Sequence, residues 1–383
     1  MNKTNIYPAF IAFLALTLLL TACKESKDHP DNMMNLPPLK EQFSEYFDIG
    51  NIFNPGDTGG GRINNQRLIR HYNILTAEND MKPNQINRSR GVYDFLRADN
   101  MVNAARTSGF KVLGHTLLWH TQIPQWQVNL RTDNTSKENA LQYMKDYITA
   151  VVSHFKGRVY AWDVLNEAFP DGNFTEDLDW KNVMRSGTQG NPWYMKIGSD
   201  FVYEAFLAAR SADPDAILYY NDYNLNLRGK ALMVHNMVRD VNAKYALEYP
   251  GSGLLIQGIG MQSHHNTNVS AASIRASFDL FRPLGVVIAI SELDILSQNF
   301  GDFSNRVPPT EQGKARAADL YGEFFTVFLE NADIIERVTF WGVYDEQSWR
   351  ASGLPLIFEG RAKSRAKPAY FKIIEALEAF QGF

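Results

Sequence analysis

Residues 158–167 have the sequence RVYAWDVLNE, an apolar run that ends in a carboxylate. A second run of this kind, residues 286–292, has the sequence VVIAISE. Apolar runs without strict alternation are typical of strands buried on both faces, as in parallel sheets. A lone glutamate at such a strand end is often only a loop-facing charge. Two of them, Glu167 and Glu292, are what acid/base chemistry on one face of a parallel α/β barrel requires.

Strand-like and helix-like segments alternate from residue 41 onward. The predicted strands are Tyr46–Ile52, His71–Thr76, Lys111–His115, Val159–Asn166, Ile217–Asn221, Leu255–Met261, Val286–Ser291 and Val338–Val343. Apolar residues three or four apart predict helices that include Glu138–Phe155, Ala315–Leu329 and Ala369–Phe380. Asp213, which precedes a proline, marks the end of another helix. This alternation predicts an α/β fold of the (β/α)8 TIM-barrel type, with long loops.

The alternative fold is a doubly wound open sheet. That fold has a glycine-rich phosphate turn after its first strand, and no such turn follows Tyr46–Ile52. The GGGR sequence at residues 59–62 lacks the Lys-Ser/Thr pair of a phosphate loop, and we interpret it as a flexible loop. The barrel is therefore the favoured fold.

Bulk composition limits the classes of partner. The chain has 383 residues and a formal net charge of −4, which gives no indication of nucleic-acid binding. Aromatic residues make up 13% of the chain, a share that suits either a large core or a surface that stacks on sugar rings. Composition alone does not separate these two uses.

The N-terminus has the features of a targeting segment. An apolar run at residues 11–20 is too short to span a bilayer comfortably, and Lys3 supplies positive charge before it. The LTAC sequence at residues 20–23 resembles a bacterial lipobox, in which Cys23, the single cysteine of the chain, becomes the lipidated first residue. We expect a signal peptide at 1–22, a lipidated tether at 23–40 and a catalytic barrel at 41–383. The alternative is a plain signal peptide cleaved near Ala22.

Polar or aromatic residues follow nearly every predicted strand. Because the carboxyl ends of barrel strands gather at one mouth, these residues are expected to share a site. They are Glu78, Asn79, His115, Asn166, Glu167, Asn221, Asp222, Tyr223, Gln262, His264, Glu292 and Trp341. Paired carboxylates in such a site are typical of enzymes that cleave glycosidic bonds.

Several motifs resemble those of glycoside hydrolase family 10, the endo-β-1,4-xylanases. WDVLNE at 162–167 and ISELD at 290–294 resemble the two signature segments of that family. Further matching segments are TAENDMK at 76–82, GHTLLWHTQIP at 114–124, YNDYN at 220–224, QSH at 262–264, FWGV at 340–343 and SWR at 348–350. The resemblance covers residues 41–383. It departs at Leu165, where valine is commoner, and at 169–191, a long polar stretch that leaves the shape of the leaving-group subsites open.

The resemblance implies a retaining mechanism, with Glu292 as nucleophile and Glu167 as general acid/base. Repulsion between the two carboxylates is expected to help keep Glu167 protonated. His264 is implied to hydrogen-bond the nucleophile, with Asp294 orienting the histidine.

The resemblance also implies sugar-binding residues. Asn166 binds the 2-hydroxyl of the distorted sugar, and Gln262 and Tyr223 support the nucleophile and the developing charge. The hydroxyl ligands on the non-reducing side are Glu78, Asn79, Lys82, His115 and Gln122. The aromatic walls at the point of cleavage are Trp119, Trp341 and Trp349.

Other candidates are assigned to structure. We expect Trp126, Trp180 and Trp193 in the core, His120 in a structural role and His265 on a surface loop. No metal is expected, because His115 and His120 lack the glutamate of the zincin spacing. No cofactor is implied.

Two alternatives to a xylanase stay open. One is a β-1,4-glucanase on a related barrel, and the other is a surface glycan-binding lipoprotein with an inactive site. The expected partner is xylan or a xylo-oligosaccharide, bound by a monomer that contacts the membrane through its lipid anchor alone. We expect the protein to be exported and anchored in the bacterial envelope.

Overall fold

The computed structural model of this protein describes residues 30–298, 308–360 and 364–382. The predicted signal peptide, Cys23 and the first part of the predicted tether lie outside these ranges. No helix within them is long and apolar enough to cross a bilayer.

Eight parallel strands form a closed barrel in chain order. They are β1 Asp48–Phe53, β2 Ile74–Ala77, β3 Lys111–Leu118, β4 Ala161–Asn166, β5 Ile217–Asp222, β6 Gly258–Met261, β7 Val287–Leu296 and β8 Ile335–Phe340. β8 pairs with both β1 and β7, which closes the sheet on itself. The predicted (β/α)8 fold is confirmed.

Helices surround the barrel. The α-helices are α1 Leu39–Gln42, α2 Gln66–His71, α3 Pro83–Ile86, α4 Leu96–Thr107, α5 Gln125–Asn129, α6 Lys137–Phe155, α7 Pro192–Ile197, α8 Asp200–Ala212, α9 Arg228–Glu248, α10 Ala271–Phe281, α11 Glu311–Glu330 and α12 Pro368–Gln381. Short 3-10 helices lie at Pro55–Asp57, Trp180–Asn182, Gly187–Gln189, Arg282–Leu284, Asp345–Gln347 and Ala351–Gly353. The predicted helices correspond to α6, α11 and α12, and α8 ends at Ala212, immediately before Asp213.

The helix α6 illustrates how the sequence specifies the outer layer. Ser136 precedes it, and its side chain accepts a hydrogen bond from the Asn139 backbone N–H. Such a cap satisfies one of the free N–H groups at a helix start. The face that the helix buries against the strands carries Met144, Ile148, Val151, Val152 and Phe155. Their spacing of three and four residues places them on one side of the helix.

The barrel interior is built in two layers along the strands. An apolar layer consists of Leu113, Ala161, Tyr219 and Ala289. Side chains two residues apart on a strand share a face, so the next layer toward the carboxyl ends is also internal. That layer consists of His115, Asp163, Asn221 and Ser291, all buried. The polar layer lies on the side of the mouth, where the two candidate glutamates lie, while the buried Arg337 packs on Tyr219 of the apolar layer.

Two predictions about loops and boundaries were wrong. The packed domain begins before residue 41, because Met33 and Leu39 are fully buried and the Met33 N–H donates to the Ser364 carbonyl at 2.8 Å. The part of the tether at 31–40 therefore belongs to the barrel domain. The GGGR segment is the turn of a short hairpin, in which Thr58–Gly59 pairs with Arg62–Ile63.

Candidate active site

A cleft of about 510 Å³ lies at the carboxyl ends of the strands. Both candidate glutamates and all twelve predicted sugar-binding residues line it: Glu78, Asn79, Lys82, His115, Trp119, Gln122, Asn166, Glu167, Tyr223, Gln262, His264, Glu292, Trp341 and Trp349. Asp171, Asn224 and Arg350 line it as well. These three residues were not predicted, although two of them lie inside quoted motifs.

Irregular backbone aims these side chains into the cleft. The strand pairing shifts register after His115 in β3, after Asp163 in β4 and between Ile290 and Leu293 in β7. Such bulges re-aim side chains beside active sites. Positive φ angles occur in four cleft-bordering residues that are not glycine: Gln122 at 47°, Glu167 at 55°, Asn224 at 55° and Ser263 at 62°. Backbone strain of this kind persists only where the surrounding structure holds it.

Glu292 lies among charged and amide donors. Its Oε2 is 3.1 Å from His264 Nε2, and its Oε1 accepts a hydrogen bond of 2.8 Å from the Asn221 amide. Asp294 is fully buried below, with its Oδ2 3.0 Å from His264 Nδ1 and its Oδ1 2.5 Å from Arg350. The side chain of His264 is therefore held between two carboxylates, as predicted.

The protonation states follow from these contacts. Burial alone would raise the pKa of Glu292, but the hydrogen bond from His264 and nearby histidine charge lower it below its ordinary value. Burial would lower the pKa of His264, but the charge and hydrogen bond of Asp294 and the hydrogen bond to Glu292 raise it to about 9. At neutral pH, His264 is therefore protonated and Glu292 is an anion.

Glu167 lies in a different environment. Its Oε1 accepts hydrogen bonds from the Gln262 amide at 2.9 Å and from the Asn166 amide at 3.3 Å. Its Oε2 is 3.8 Å from Nδ1 of His120. Burial lowers the pKa of His120 to about 3, with help from nearby cationic side chains, so the ring is neutral at neutral pH. The hydrogen bonds to the Glu167 carboxyl therefore come from neutral amides, and the imidazole beside it is neutral too.

The pKa of Glu167 is raised above its ordinary value. Burial is the largest cause, and the charge of Asp222 is the next. Repulsion from Glu292 acts in the same direction but ranks below both. The predicted direction and the predicted help from repulsion between the carboxylates are both confirmed, although burial and Asp222 contribute more.

A chain of amides joins the two glutamates. The side-chain oxygen of Asn166, Oδ1, accepts hydrogen bonds from the Gln262 amide at 3.2 Å and from the Asn221 amide at 2.9 Å. Each of those amides also donates to one carboxyl, Gln262 to Glu167 and Asn221 to Glu292. Gln262 was predicted to support the nucleophile, but its side chain contacts the acid/base candidate. Asn221 contacts the nucleophile instead.

Asn221 depends on a glycine in the next strand. Gly260 pairs with Asn221 across β5 and β6. A Cβ atom at position 260 would lie 2.3 Å from Asn221 Oδ1, closer than real contacts allow. The Ser291 hydroxyl donates to the same oxygen at 2.6 Å. These neighbours orient the Asn221 amide so that its nitrogen points at Glu292.

Aromatic rings form the walls of the cleft. Trp341 packs edge-on against His115 at 5.5 Å and against His264 at 6.3 Å between ring centroids. Trp119 lies under the Lys82 ammonium at 5.2 Å from the ring centroid. Trp349 is 61% exposed, although its indole N–H donates to Asp294 at 3.2 Å. An exposed indole anchored by one hydrogen bond is suited to packing against a sugar ring.

Polar residues on the β2 side of the cleft are held by their neighbours. Glu78 Oε2 accepts a hydrogen bond of 2.7 Å from the amide of Asn54, a residue that sequence reasoning missed. Lys82 donates to Asn79 at 3.0 Å and is buried. Burial lowers the pKa of Lys82, although the cleft carboxylates oppose this change. These hydrogen bonds hold Glu78, Asn79 and Lys82 in place at the cleft.

Some structural assignments were confirmed and others were wrong. Trp180 and Trp193 are buried in the core, and Trp126 packs against it with its indole N–H on the Asn87 carbonyl. His120, predicted as structural, faces Glu167. His265, predicted on the surface, is 3% exposed and packs edge-on against Phe324. Within 30–298, 308–360 and 364–382, no group of three His, Cys, Asp or Glu side chains is arranged to hold a metal ion.

A (β/α)8 barrel with two glutamates in one cleft at its carboxyl face has the architecture of a glycoside hydrolase. Residues 38–376 match the model of glycosyl hydrolase family 10. The chain therefore belongs to that family, as its motifs indicated.

Named relatives and solved structures agree with this assignment. The chain is 35% identical over 353 residues to an endo-1,4-beta-xylanase of Geobacillus stearothermophilus, covering 89% of this chain and 98% of that protein. It is 33% identical over 356 residues to exoglucanase XynX of Acetivibrio thermocellus, covering 90% of this chain and 30% of that protein. A crystal structure of a bacterial Ig-like domain containing GH10 xylanase from termite gut shares 49% identity with a TM-score of 0.87, covering 92% of this chain and 80% of that one.

Proposed function

We propose that this protein is an endo-acting, retaining β-1,4-xylanase, with Glu292 as nucleophile and Glu167 as general acid/base. The observation that carries this proposal is the contrast between the neighbours of the two carboxyls. Glu292 contacts His264 and the Asn221 amide, whereas Glu167 contacts the amides of Gln262 and Asn166. In keeping with these contacts, the pKa of Glu292 is lowered and that of Glu167 is raised. A retaining mechanism needs an ionised nucleophile and a protonated acid in the same cleft.

The reaction proceeds in two displacements. In the first, a Glu292 carboxylate oxygen attacks the anomeric carbon while Glu167 gives its proton to the departing glycosidic oxygen. In the second, Glu167 takes a proton from water, the water oxygen attacks the same carbon, and the bond to Glu292 breaks. Asn166 lies beside both carboxyls and is placed to bind the 2-hydroxyl of the reacting sugar.

The sugar specificity follows from the shape of the non-reducing side. Xylose lacks the hydroxymethyl group that glucose carries on C5. Trp349 and Gln122 line the cleft. By resemblance to the family, they lie where that group would point, and an indole there would clash with glucose and pack against xylose. Rejection by such a clash discriminates more strongly than one added contact.

A β-1,4-glucanase is the second candidate, which similarity to a relative named as an exoglucanase favours. Measuring kcat/KM on matched aryl xylobiosides and cellobiosides separates the two functions. We expect a preference for the xylobioside of at least about tenfold. Equal values would exclude the xylanase proposal, and no turnover of either would favour a glycan-binding protein.

Two variants test the source of this preference. Trp349→Ala should weaken the preference, because the clash with the hydroxymethyl group is gone. Glu78→Gln is the matched control. Glu78 is expected to hydrogen-bond ring hydroxyls that both sugars carry, so this substitution should lower kcat/KM equally on the xylobioside and the cellobioside. Release of reducing ends from soluble xylan, with little free xylose at early times, tests the endo mode.

We also propose that Cys23 is the lipidated mature N-terminus and that the protein is anchored in the bacterial envelope. The lipobox-like LTAC at residues 20–23 and the lack of any other cysteine in the sequence support this. The several acyl chains of a bacterial lipoprotein would hold the enzyme firmly at a membrane. Mass spectrometry should find Cys23 acylated and N-terminal, and Cys23→Ala should release the enzyme. An unmodified mature N-terminus elsewhere would contradict it.

A further inference from the structure

A buried ion pair lies directly behind the acid/base candidate. Asp222, the last residue of β5, is fully buried, and Lys230 in the first turn of α9 is 1% exposed. Asp222 Oδ1 is 2.9 Å from the Lys230 ammonium and accepts a 2.9 Å hydrogen bond from the Tyr223 N–H. Asp222 Oδ2 is 2.5 Å from the Tyr220 hydroxyl. No predicted role uses this pair.

The hydrogen-bond pattern identifies Asp222 as an anion. The Tyr220 oxygen accepts from the Ala168 N–H at 3.1 Å, which leaves its single proton for Asp222. Both Asp222 oxygens therefore act as acceptors, as a carboxylate requires. Burial raises the pKa of Asp222, and the charge of Lys230 opposes that rise.

The same tyrosine holds the backbone of Glu167. Glu167 has a φ of 55°, which is a strained value for this residue type. Its N–H donates to the Asn221 carbonyl at 2.9 Å, and its carbonyl accepts from Arg185 Nε at 3.2 Å. On the following peptide, the N–H of Ala168 is fixed by Tyr220, which Asp222 fixes in turn. The strain at Glu167 thus depends on a structure anchored by Asp222.

The polar stretch at 169–191 covers Lys230. A Cβ atom at Gly229 would lie 2.5 Å from the Phe174 carbonyl oxygen, so this stretch packs directly on the start of α9. The Lys230 ammonium contacts Asp171 at 3.5 Å and lies 3.4 Å from the centroid of the Tyr223 ring. Both of those residues line the cleft. The ion pair is therefore shielded from water while it remains next to the leaving-group side.

We propose that Asp222, held by Lys230, is a positioning residue for the acid/base: it fixes the Glu167 backbone through Tyr220 and keeps a negative charge close to the Glu167 side chain. This inference rests on the proposed roles of Glu167 and Glu292. Under this proposal, the start of α9 and the stretch at 169–191 that covers it contribute to proton donation by Glu167.

The fixed charge has a defined effect on proton donation. After burial, Asp222 is the largest influence that raises the pKa of Glu167. The other titratable or charged groups that face Glu167 or this ion pair are His120, Glu292, Lys82, Arg185, Tyr220, Tyr223 and Asp171. Of these, His120 is neutral, and the cations Lys82 and Arg185 act against Asp222. Removing the Asp222 charge should therefore lower the pKa of Glu167.

The test is the pH profile of kcat/KM for Asp222→Asn on xylan oligosaccharides. Because Glu167 would lose its proton at lower pH, the alkaline limb should move down by on the order of one pH unit. The loss should be smaller on a dinitrophenyl xylobioside, whose leaving group needs little protonation. An unmoved limb, or equal losses on both substrates at every pH, would overturn the proposal.

A double variant keeps the result interpretable. Asp222→Asn removes the closer carboxylate from a buried ammonium and leaves it only the longer contact with Asp171, which destabilises a fold. If that variant does not fold, Asp222→Asn with Lys230→Met removes both charges and should still move the alkaline limb down, by a smaller amount. An unmoved limb in the folded double variant would also overturn the proposal.

The matched control is Asp345→Asn, which breaks a buried pair with Lys367 at 2.9 Å that does not contact either glutamate. It should lower stability but leave the alkaline limb in place. A wild-type protein without activity on xylan would count against the proposed function, whereas an unmoved limb in an active enzyme counts against Asp222 alone.

Discussion

The two sides of the cleft favour opposite protonation states of a glutamate side chain. On one side, Glu292 faces a protonated His264, which is held by Asp294 and, through it, by Arg350. On the other side, Glu167 faces amides and a neutral imidazole, with a buried anion behind it. The positive charge next to Glu292 therefore favours its ionised form, whereas the neutral groups and the anion next to Glu167 favour its protonated form.

This contrast shows that proximity of the two carboxyls is not the main source of their different behaviour. Glu292 is buried and Glu167 is half-buried, and burial by itself raises the pKa of each. The outcome is decided by the second layer of side chains: His264 for Glu292, and Asp222 for Glu167. Substitutions that change one side of the cleft alone should therefore move one limb of the pH profile alone.

The largest effect is expected for Glu292→Ala. Without a nucleophile no covalent intermediate forms, so turnover should fall by about 10⁴-fold or more on activated and unactivated substrates alike. Steady-state rates on xylan and on dinitrophenyl xylobioside measure this. A variant that kept activity on the activated substrate would contradict the assignment of the nucleophile.

A smaller effect is expected for His264→Gln. The substitution removes the charge that lowers the pKa of Glu292, so the acid limb of kcat/KM should move to higher pH. The rate at the optimum should fall by roughly 10- to 100-fold, as expected for the loss of a hydrogen bond to a charged group.

The pH profile also provides the control for this variant. The alkaline limb, which reports Glu167, should stay in place. Outside the cleft, His154 Nε2 lies 2.9 Å from an Asp99 carboxyl oxygen. His154→Gln breaks this contact and should change neither limb. Movement of both limbs in His264→Gln would show that the two sides are not independent.

The smallest effect is expected for Gln262→Met. The Gln262 hydrogen bond lowers the pKa of Glu167, against the effect of burial. Its loss should move the alkaline limb to higher pH, opposite to the shift expected for Asp222→Asn, with a rate loss of about tenfold or less. A downward shift would show that the amide acts on Glu167 in another way.

The barrel could be predicted because its strands are buried on both faces and appear as apolar runs. The predicted positions of the strand ends were less accurate. β8 was predicted at Val338–Val343 but runs from Ile335 to Phe340, since Trp341 turns into the cleft and Gly342 has a φ of 140°. β7 extends past Glu292 to Leu296, where a short strand at His264–Asn266 pairs with it.

Most cleft residues could be predicted because they lie in motifs at or near the carboxyl ends of strands, whereas Asp171 lies outside every motif. Contacts between strands could not be predicted in the same way. His265 is buried only because its short strand pairs with β7 and its ring meets Phe324 on α11. Lys230 belongs to an RGK sequence typical of an exposed helix start, yet the stretch at 169–191 buries it. Only the folded arrangement reveals such burial.

The central claim is the division of roles between Glu167 and Glu292, and the stereochemistry of azide rescue tests it most directly. Glu167→Ala should still form the covalent intermediate from a dinitrophenyl xylobioside, because that leaving group departs without acid help. Azide should then attack the intermediate and restore turnover. Nuclear magnetic resonance should show a β-xylobiosyl azide, the retained product. An α-azide from Glu167→Ala, with the β-azide formed by Glu292→Ala instead, would contradict the account.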